Sequence, residues 1–135
     1  MRVVPDTNVL VSAIVSGGLP GRLIELAAAG RLQVVLSPAL IEELREVLRR
    51  KFGFSDAAAY RAETLLRAIS TVVEPPQEVT LIVDDPEDNG VLEAALTGDA
   101  EVIVSGDRHL LELGTFGKIP VLSPRTLLKS IQSGS

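Results

Sequence analysis

Two carboxylates stand at the ends of short β-branched runs, where a buried strand would deliver them to the rim of a sheet. Val3-Val4-Pro5 leads into Asp6, and Val102-Ile103-Val104 leads through Ser105-Gly106 into Asp107. Such runs read as buried strands, and in open α/β sheets ligands bind at the carboxyl edge. Two further acids belong to helices. The stretch after Ser37-Pro38 places Leu40, Ile41, Leu44, Val47 and Leu48 on one helical face. Glu42 and Glu46 point away from it, whereas Glu43 falls at its border and can lean toward the protein body. Asp84-Asp85-Pro86-Glu87-Asp88-Asn89 is the densest acidic run. Asp85 reads as an N-cap with Pro86 at the first helical position. Asp88 shares a face with Val91, Leu92 and Ala95, and a carboxylate on the core side needs a cation or hydrogen-bond donors to compensate it.

Four acids gathered in one cleft repel each other unless cations neutralise them. With no cysteine and one histidine in the chain, ligation would be all-oxygen, which selects Mg²⁺ or Mn²⁺ over zinc or copper. Such an ion activates water and stabilises charge on a phosphoryl group, so phosphodiester hydrolysis is the chemistry these residues permit. Other chemistries fit less well. The chain has no Gly-rich P-loop, no G-x-S-x-G, and no G-x-G-x-x-G after a strand. A catalytic triad would depend on His109, which reads as an exposed residue of the loop after Asp107.

The elements that must position these acids alternate along the chain. Strands are expected at Val3-Val4, over 33–36, at 71–73, over 102–104 and over 119–122, with an apolar run over 79–83 of uncertain sheet membership. Helices are expected after Asp6, from Pro20 to about Ala29, after Ser37-Pro38, from Ser55-Asp56 to about Ile69, after Asp85-Pro86, around Leu110-Leu111, and after Ser123-Pro124. In the fourth of these, Tyr60, Leu65, Leu66 and Ile69 are the expected inward positions. Alternation of this kind implies parallel strands with right-handed crossovers and helices on both faces. The carboxyl ends then share one edge, which receives Asp6 and Asp107, with Glu43 and Asp88 in the first turns of helices beginning near it.

A chain of 135 residues suits one domain, here 1–131 with a fraying tail over 132–135. Hydrophobic residues make up 46% and aromatics 3%, so the core falls to Val, Leu, Ile and Ala. No apolar run approaches the roughly 20 residues of a membrane span, and the N-terminus does not read as a signal peptide. A soluble protein of the cytoplasm, with no membrane partner, is the expectation. Net charge is −5, which argues against general nucleic-acid binding unless bound divalent ions cancel part of it. The most basic stretch, Arg45, Arg49, Arg50, Lys51, Arg61 and Arg67, lies on the third and fourth helices. Arg45, Arg49 and Arg50, together with Arg108, are the candidates for contacts to an RNA backbone.

Val4-Pro5-Asp6-Thr7-Asn8-Val9-Leu10, Ser37-Pro38 with Glu43-Leu44, Asp85-Pro86-Glu87-Asp88-Asn89 with Leu92 and Ala95, and Val104-Ser105-Gly106-Asp107 with Leu110-Leu111 resemble the PIN domains. The resemblance is nearest to the bacterial and archaeal branch of VapC-like toxin components, and runs from about residue 2 to residue 128. It implies a three-layer α/β/α sandwich around a mostly parallel sheet of four to five strands. It also implies Mg²⁺- or Mn²⁺-dependent endoribonuclease activity, an RNA substrate, a small antitoxin partner and a homodimer. The acids carried over are Asp6, Glu43, Asp88 and Asp107, as catalytic residues and metal ligands. Asn8 and Ser105 match positions that orient those acids, Ser105 standing where many relatives have Thr, and Asp85 supports the same site. The alternative within the family is an inactive PIN domain that binds RNA or serves assembly. Outside it, Leu81-Ile82-Val83-Asp84-Asp85 resembles the start of a receiver domain, but only 50 residues follow Asp85. An aspartyl-phosphate enzyme of the haloacid-dehalogenase type needs an acid two residues after Asp6, where this chain has Asn8.

Overall fold

Residues 1–74 and 89–133 are described by the computed structural model. In chain order the elements are β1 (Arg2–Pro5), α1 (Thr7–Val15), α2 (Gly18–Ala28), β2 (Gln33–Leu36), α3 (Pro38–Phe52), α4 (Asp56–Ile69), β3 (Ser70–Val72), α5 (Asn89–Thr97), β4 (Val102–Val104), α6 (Arg108–Leu113), β5 (Thr115–Phe116), β6 (Ile119–Leu122) and α7 (Pro124–Ser133). The strands form one sheet in the order β3-β2-β1-β4-β6-β5. All pairings are parallel except that of β5 with β6. The architecture is the expected α/β sandwich with a mostly parallel sheet, and the count of four to five strands is corrected to six. The addition is the two-residue β5, which pairs through Thr115 with Pro120 and Phe116 with Ile119. A strand of two residues has no periodicity to read. Its turn depends on Gly117, whose φ of 60° is open to glycine at no steric cost.

Why the sheet is covered on both sides follows from burial along each strand. Successive side chains point to opposite faces, yet Val3 and Val4, Val34, Val35 and Leu36, and Val102, Ile103 and Val104 are all buried. Helices must therefore lie on both faces, as in parallel sheets generally. On the sequence these strands are unbroken apolar runs for that reason. Leu40, Ile41, Leu44 and Leu48 form the buried face of α3, the stripe expected from their spacing. In α4 the expected inward set is half right. Leu66 is buried, but Tyr60 and Leu65 are 65% and 53% exposed. The buried face consists of Ala59, Ala62, Glu63 and Leu66, an i, i+3, i+4, i+7 set of which half is alanine. Residue size misled: alanines are inside because α4 packs closely on α3, and a glutamate is inside because two arginines meet it. The helix α7 continues through Gln132 to Ser133, beyond the boundary expected at 131.

No single helix among the described residues is long and apolar enough to cross a membrane. The apolar run over 79–83 lies outside the described residues.

One close approach holds α5 against the sheet. A Cβ added at Gly98 would sit 2.5 Å from Val35 Cγ1 and 3.0 Å from the Ala94 carbonyl oxygen. The same glycine's carbonyl accepts from Arg2 Nε at 2.7 Å, tying the end of α5 to the start of β1. Gly98→Ala is expected to lower stability by about 1–3 kcal/mol through overpacking. In urea denaturation the double variant with Val35→Ala should lose less than the sum of the two single changes, because Val35 Cγ1 is the atom in the way. Strict additivity would refute that account.

Candidate active site

The strand order places the acids. From β1 the chain moves to β2 and β3 on one side, then crosses to β4 on the other, so the winding direction reverses between β1 and β4. In doubly wound sheets the crevice outside the carboxyl ends at such a reversal is the ligand site. Asp6 follows β1 and Ser105-Gly106-Asp107 follows β4, so the two strands that flank the reversal carry the acids.

Each carboxylate also caps a helix. Asp6 accepts from the Val9 N–H at 2.8 Å and caps α1. Asp107 accepts from the His109 N–H at 2.8 Å and caps α6. Capping alone does not require an acid, since the strand-to-helix junction after β2 has Ser37 in the same role. What distinguishes the two aspartates is the group between them. The Ser105 hydroxyl donates to Asp6 Oδ2 and accepts from the Asp107 N–H at 2.9 Å. Ser105 is fully buried and Asp6 is 5% exposed, while Asp107 is half-buried. One hydroxyl thus ties the Asp6 carboxylate to the Asp107 backbone across the reversal.

Burial is the main cause that pushes the Asp6 carboxyl above its ordinary 3.8, and the charge of Asp107 adds to it. Hydrogen bonds from Ser105 and from the Val9 and Asn8 backbone work the other way, but burial prevails. The site therefore holds one carboxylate that is destabilised when charged, beside a second one. Positive charge supplied at this point would lower the energy of both. The donors are hard oxygens, which suit Mg²⁺ or Mn²⁺.

Of the other nominated residues, Glu43 is half-buried in the second turn of α3 rather than the first. It shares a pocket with Asn8, which is exposed in the first turn of α1. Among the described residues no three His, Asp or Glu side chains gather as a metal-holding group, so the structure joins Asp6 to Asp107 and does not add Glu43 to that pair. Asp85 and Asp88 lie outside the described residues. His109, expected in a loop, is instead in the first turn of α6 and exposed.

The nominated arginines are engaged on the protein's own surface. Arg45 meets Glu63 at 3.2 Å, Arg49 meets Asp56 at 3.1 Å, Arg50 meets Glu46 at 3.5 Å and Arg108 meets Glu112 at 3.6 Å. The last three pairs are surface pairs that exchange readily with another anion. Arg45 differs. With Arg67, 2.9 Å from the same carboxylate, it neutralises Glu63 on the buried face of α4, which fastens α3 to α4. Sequence reading did not single out Glu63. The signal was its place on one face with Ala59, Ala62 and Leu66.

The sequence matches the PIN domain family over residues 2–109. The chain belongs to the PIN domain family. No curated protein sequence matches it. This PIN domain is similar in structure to VapBC2 from Rickettsia felis bound to a DNA fragment from their promoter. The TM-score is 0.67 at 14% identity, over 91% of this chain and 98% of that one. It is also similar to PAE2754 from Pyrobaculum aerophilum, with a TM-score of 0.60 at 19% identity, over 98% of this chain and 90% of that one. At such identities the likeness is one of fold.

The raised Asp6 carboxyl sets a pH dependence for the PIN domain. Because the folded value lies above the unfolded one, the stability contributed by the neutral form is complete below 3.8 and is lost as pH rises through the folded value. Asp6→Asn keeps a capping side chain and removes that loss. In urea titrations without divalent ions, the variant should gain on the wild type between pH 4 and pH 8. Parallel stability curves for the two proteins would contradict the assignment.

Proposed function

We propose that this PIN domain is a Mg²⁺- or Mn²⁺-dependent endoribonuclease and the toxin of a toxin–antitoxin pair. The observation that carries the proposal is the pair of aspartates at the strand reversal, where Ser105 joins the Asp6 carboxylate to the Asp107 backbone and Asp6 is buried and destabilised when charged. Family membership supports hydrolysis of nucleic acid as the general activity. Asp6 and Asp107 would hold the ion, with Glu43 and Asp88 completing the acidic set. Bound there, Mg²⁺ or Mn²⁺ supplies positive charge against the developing negative charge on phosphate and makes water more acidic. The chain's own part is positioning. Ser105 holds Asp6 and the backbone of Asp107 at a constant separation, and the α1 and α6 N-termini keep each carboxylate in one rotamer. Glu43, which lines the pocket that Asn8 shares, would receive a proton from the attacking water.

The structural likeness to VapBC2 supports a small antitoxin protein as partner. We further propose that the domain acts in the cytoplasm as a homodimer, which light scattering on the purified protein would test. One observation favours the second reading, a PIN domain that binds RNA without cutting it: among the described residues no three acids converge. RNA binding that survives EDTA, with no cleavage under any divalent ion, would establish that reading instead.

The deciding experiment is cleavage of end-labelled RNA by the purified chain with Mn²⁺ or Mg²⁺. Asp6→Asn and Asp107→Asn should each lower the rate at least about a hundredfold while the protein stays folded, a loss of the order seen when one electrostatic catalytic group is removed. Ser105→Ala should lose about 10–100-fold, as orienting partners of metal ligands do, and Ser105→Thr should restore most of it. Unchanged cleavage by the double Asp6→Asn, Asp107→Asn variant would refute the assignment.

A further inference from the structure

A pocket of about 260 Å³ opens between the first turn of α1 and the later turns of α3, and Asn8, Glu43, Glu46, Val47, Arg50 and Lys51 line it. It is linked to the acidic site by Asn8, which lines it and stands two residues after Asp6. The Asn8 N–H faces the Asp6 carboxylate and favours its charged form, while the Asn8 side chain is exposed toward the pocket. Glu43, Val47 and Lys51 are spaced i, i+4, i+8, so one stripe of α3 presents an acid, an apolar patch and a cation in that order along the cleft.

We propose that this pocket receives the nucleotide adjacent to the scissile phosphate, and so sets sequence preference at one position beside the cut. The inference rests on the ribonuclease reading above. Its volume lies just under the roughly 300–1,000 Å³ of sites that enclose a whole ligand, which suits one unit of a longer chain. Single-stranded RNA is read when an unstacked base lies on an apolar or planar surface and its edge meets hydrogen-bonding groups. Val47 provides the surface, and the Asn8 carboxamide carries both donors and an acceptor for a base edge. Lys51 makes no ion pair among the described residues and stands at the end of the stripe, where the next phosphate of a chain leaving Asp6 would pass. Among the described residues Arg50 is held only by Glu46, at 3.5 Å with three-quarters of its side chain exposed, and can exchange that partner for a phosphate at little cost.

A strand of RNA fits this lining because Lys51 makes no ion pair among the described residues and the Arg50–Glu46 pair is exposed and loosely held, beside a carboxamide that can meet a base edge.

The test uses the full chain with Mn²⁺ on a randomised RNA pool, with cleavage ends sequenced, beside wild type, Lys51→Ala and Val47→Phe. Thermal melting checks that each variant is folded. Lys51→Ala should raise KM about tenfold with kcat little changed, and lower the slope of log KM against log salt by about one, the signature of one lost phosphate contact. Val47→Phe should change base preference at a single position next to the cut. If the wild type cuts and both variants cut the same sites with unchanged KM, the pocket assignment is overturned and the ribonuclease reading stands. If the variants instead weaken only the binding of an arginine-rich peptide, the pocket belongs to a protein segment and the proposal is wrong. If the wild type cuts nothing, the ribonuclease reading fails and takes the proposal with it.

Discussion

A carboxylate almost wholly removed from water is the constraint around which this molecule is arranged. Asp6 lies between the Val9 N–H and the Ser105 hydroxyl, with Asp107 close enough to raise its energy further. Burying a charge is expensive unless donors or opposite charge compensate it. The fold supplies donors from two sources that differ in kind. One is the free N–H group at the start of α1, which every helix offers at that end. The other is a single hydroxyl at the end of the neighbouring strand. Neither provides the positive charge that would lower the energy of two adjacent carboxylates.

The sheet order makes that arrangement possible. Only at a reversal of winding do two adjacent parallel strands send their following helices to opposite sides, leaving the space above their carboxyl ends open. Here the strands are β1 and β4, in register from Val3 with Val102 to Pro5 with Val104. The register sets Asp6 against the end of β4, since the Asp6 N–H donates to the Val104 carbonyl at 2.9 Å. Ser105, next in the chain, then stands beside Asp6 without any loop having to reach for it. Packing elsewhere maintains the same edge. The Gly98 approach holds α5 against Val35, and the Glu63 carboxylate, caught between Arg45 and Arg67, holds α4 to α3. The helix that bears Glu43, Val47 and Lys51 is thereby fixed relative to β1.

Charge is distributed unevenly in a chain whose net charge is −5. Arg45, Arg49, Arg50 and Arg67 of α3 and α4 are met by nearby acids, two of them loosely at the surface and two around a buried glutamate. An acidic total and a phosphate-binding activity are compatible when the surface cations sit in pairs that can exchange and the buried acids face a divalent ion.

What the sequence determined by itself was anything carried by local pattern. Unbroken apolar runs located the parallel strands β2, β4 and β6. Ser37-Pro38 and Ser55-Asp56 located the starts of α3 and α4. A carboxylate directly after a β-branched run pointed to Asp6 and Asp107, because both signals lie within a few neighbouring residues. Tertiary structure decided whatever depends on which surfaces meet. The inward face of α4 went to Ala59, Ala62 and Glu63 over Tyr60 and Leu65, since close helix packing favours small side chains and two arginines from different turns reach one acid. The two-residue β5 exists only as a partner for β6. That the Ser105 hydroxyl reaches the Asp6 carboxylate, and that Val47 and Lys51 share a pocket with Asn8, follows from strand order and helix docking, which join residues 99 apart in the first case and some 40 in the second. Periodicity reports which way a side chain faces on its own element; it carries no information about what the neighbouring element brings to meet it.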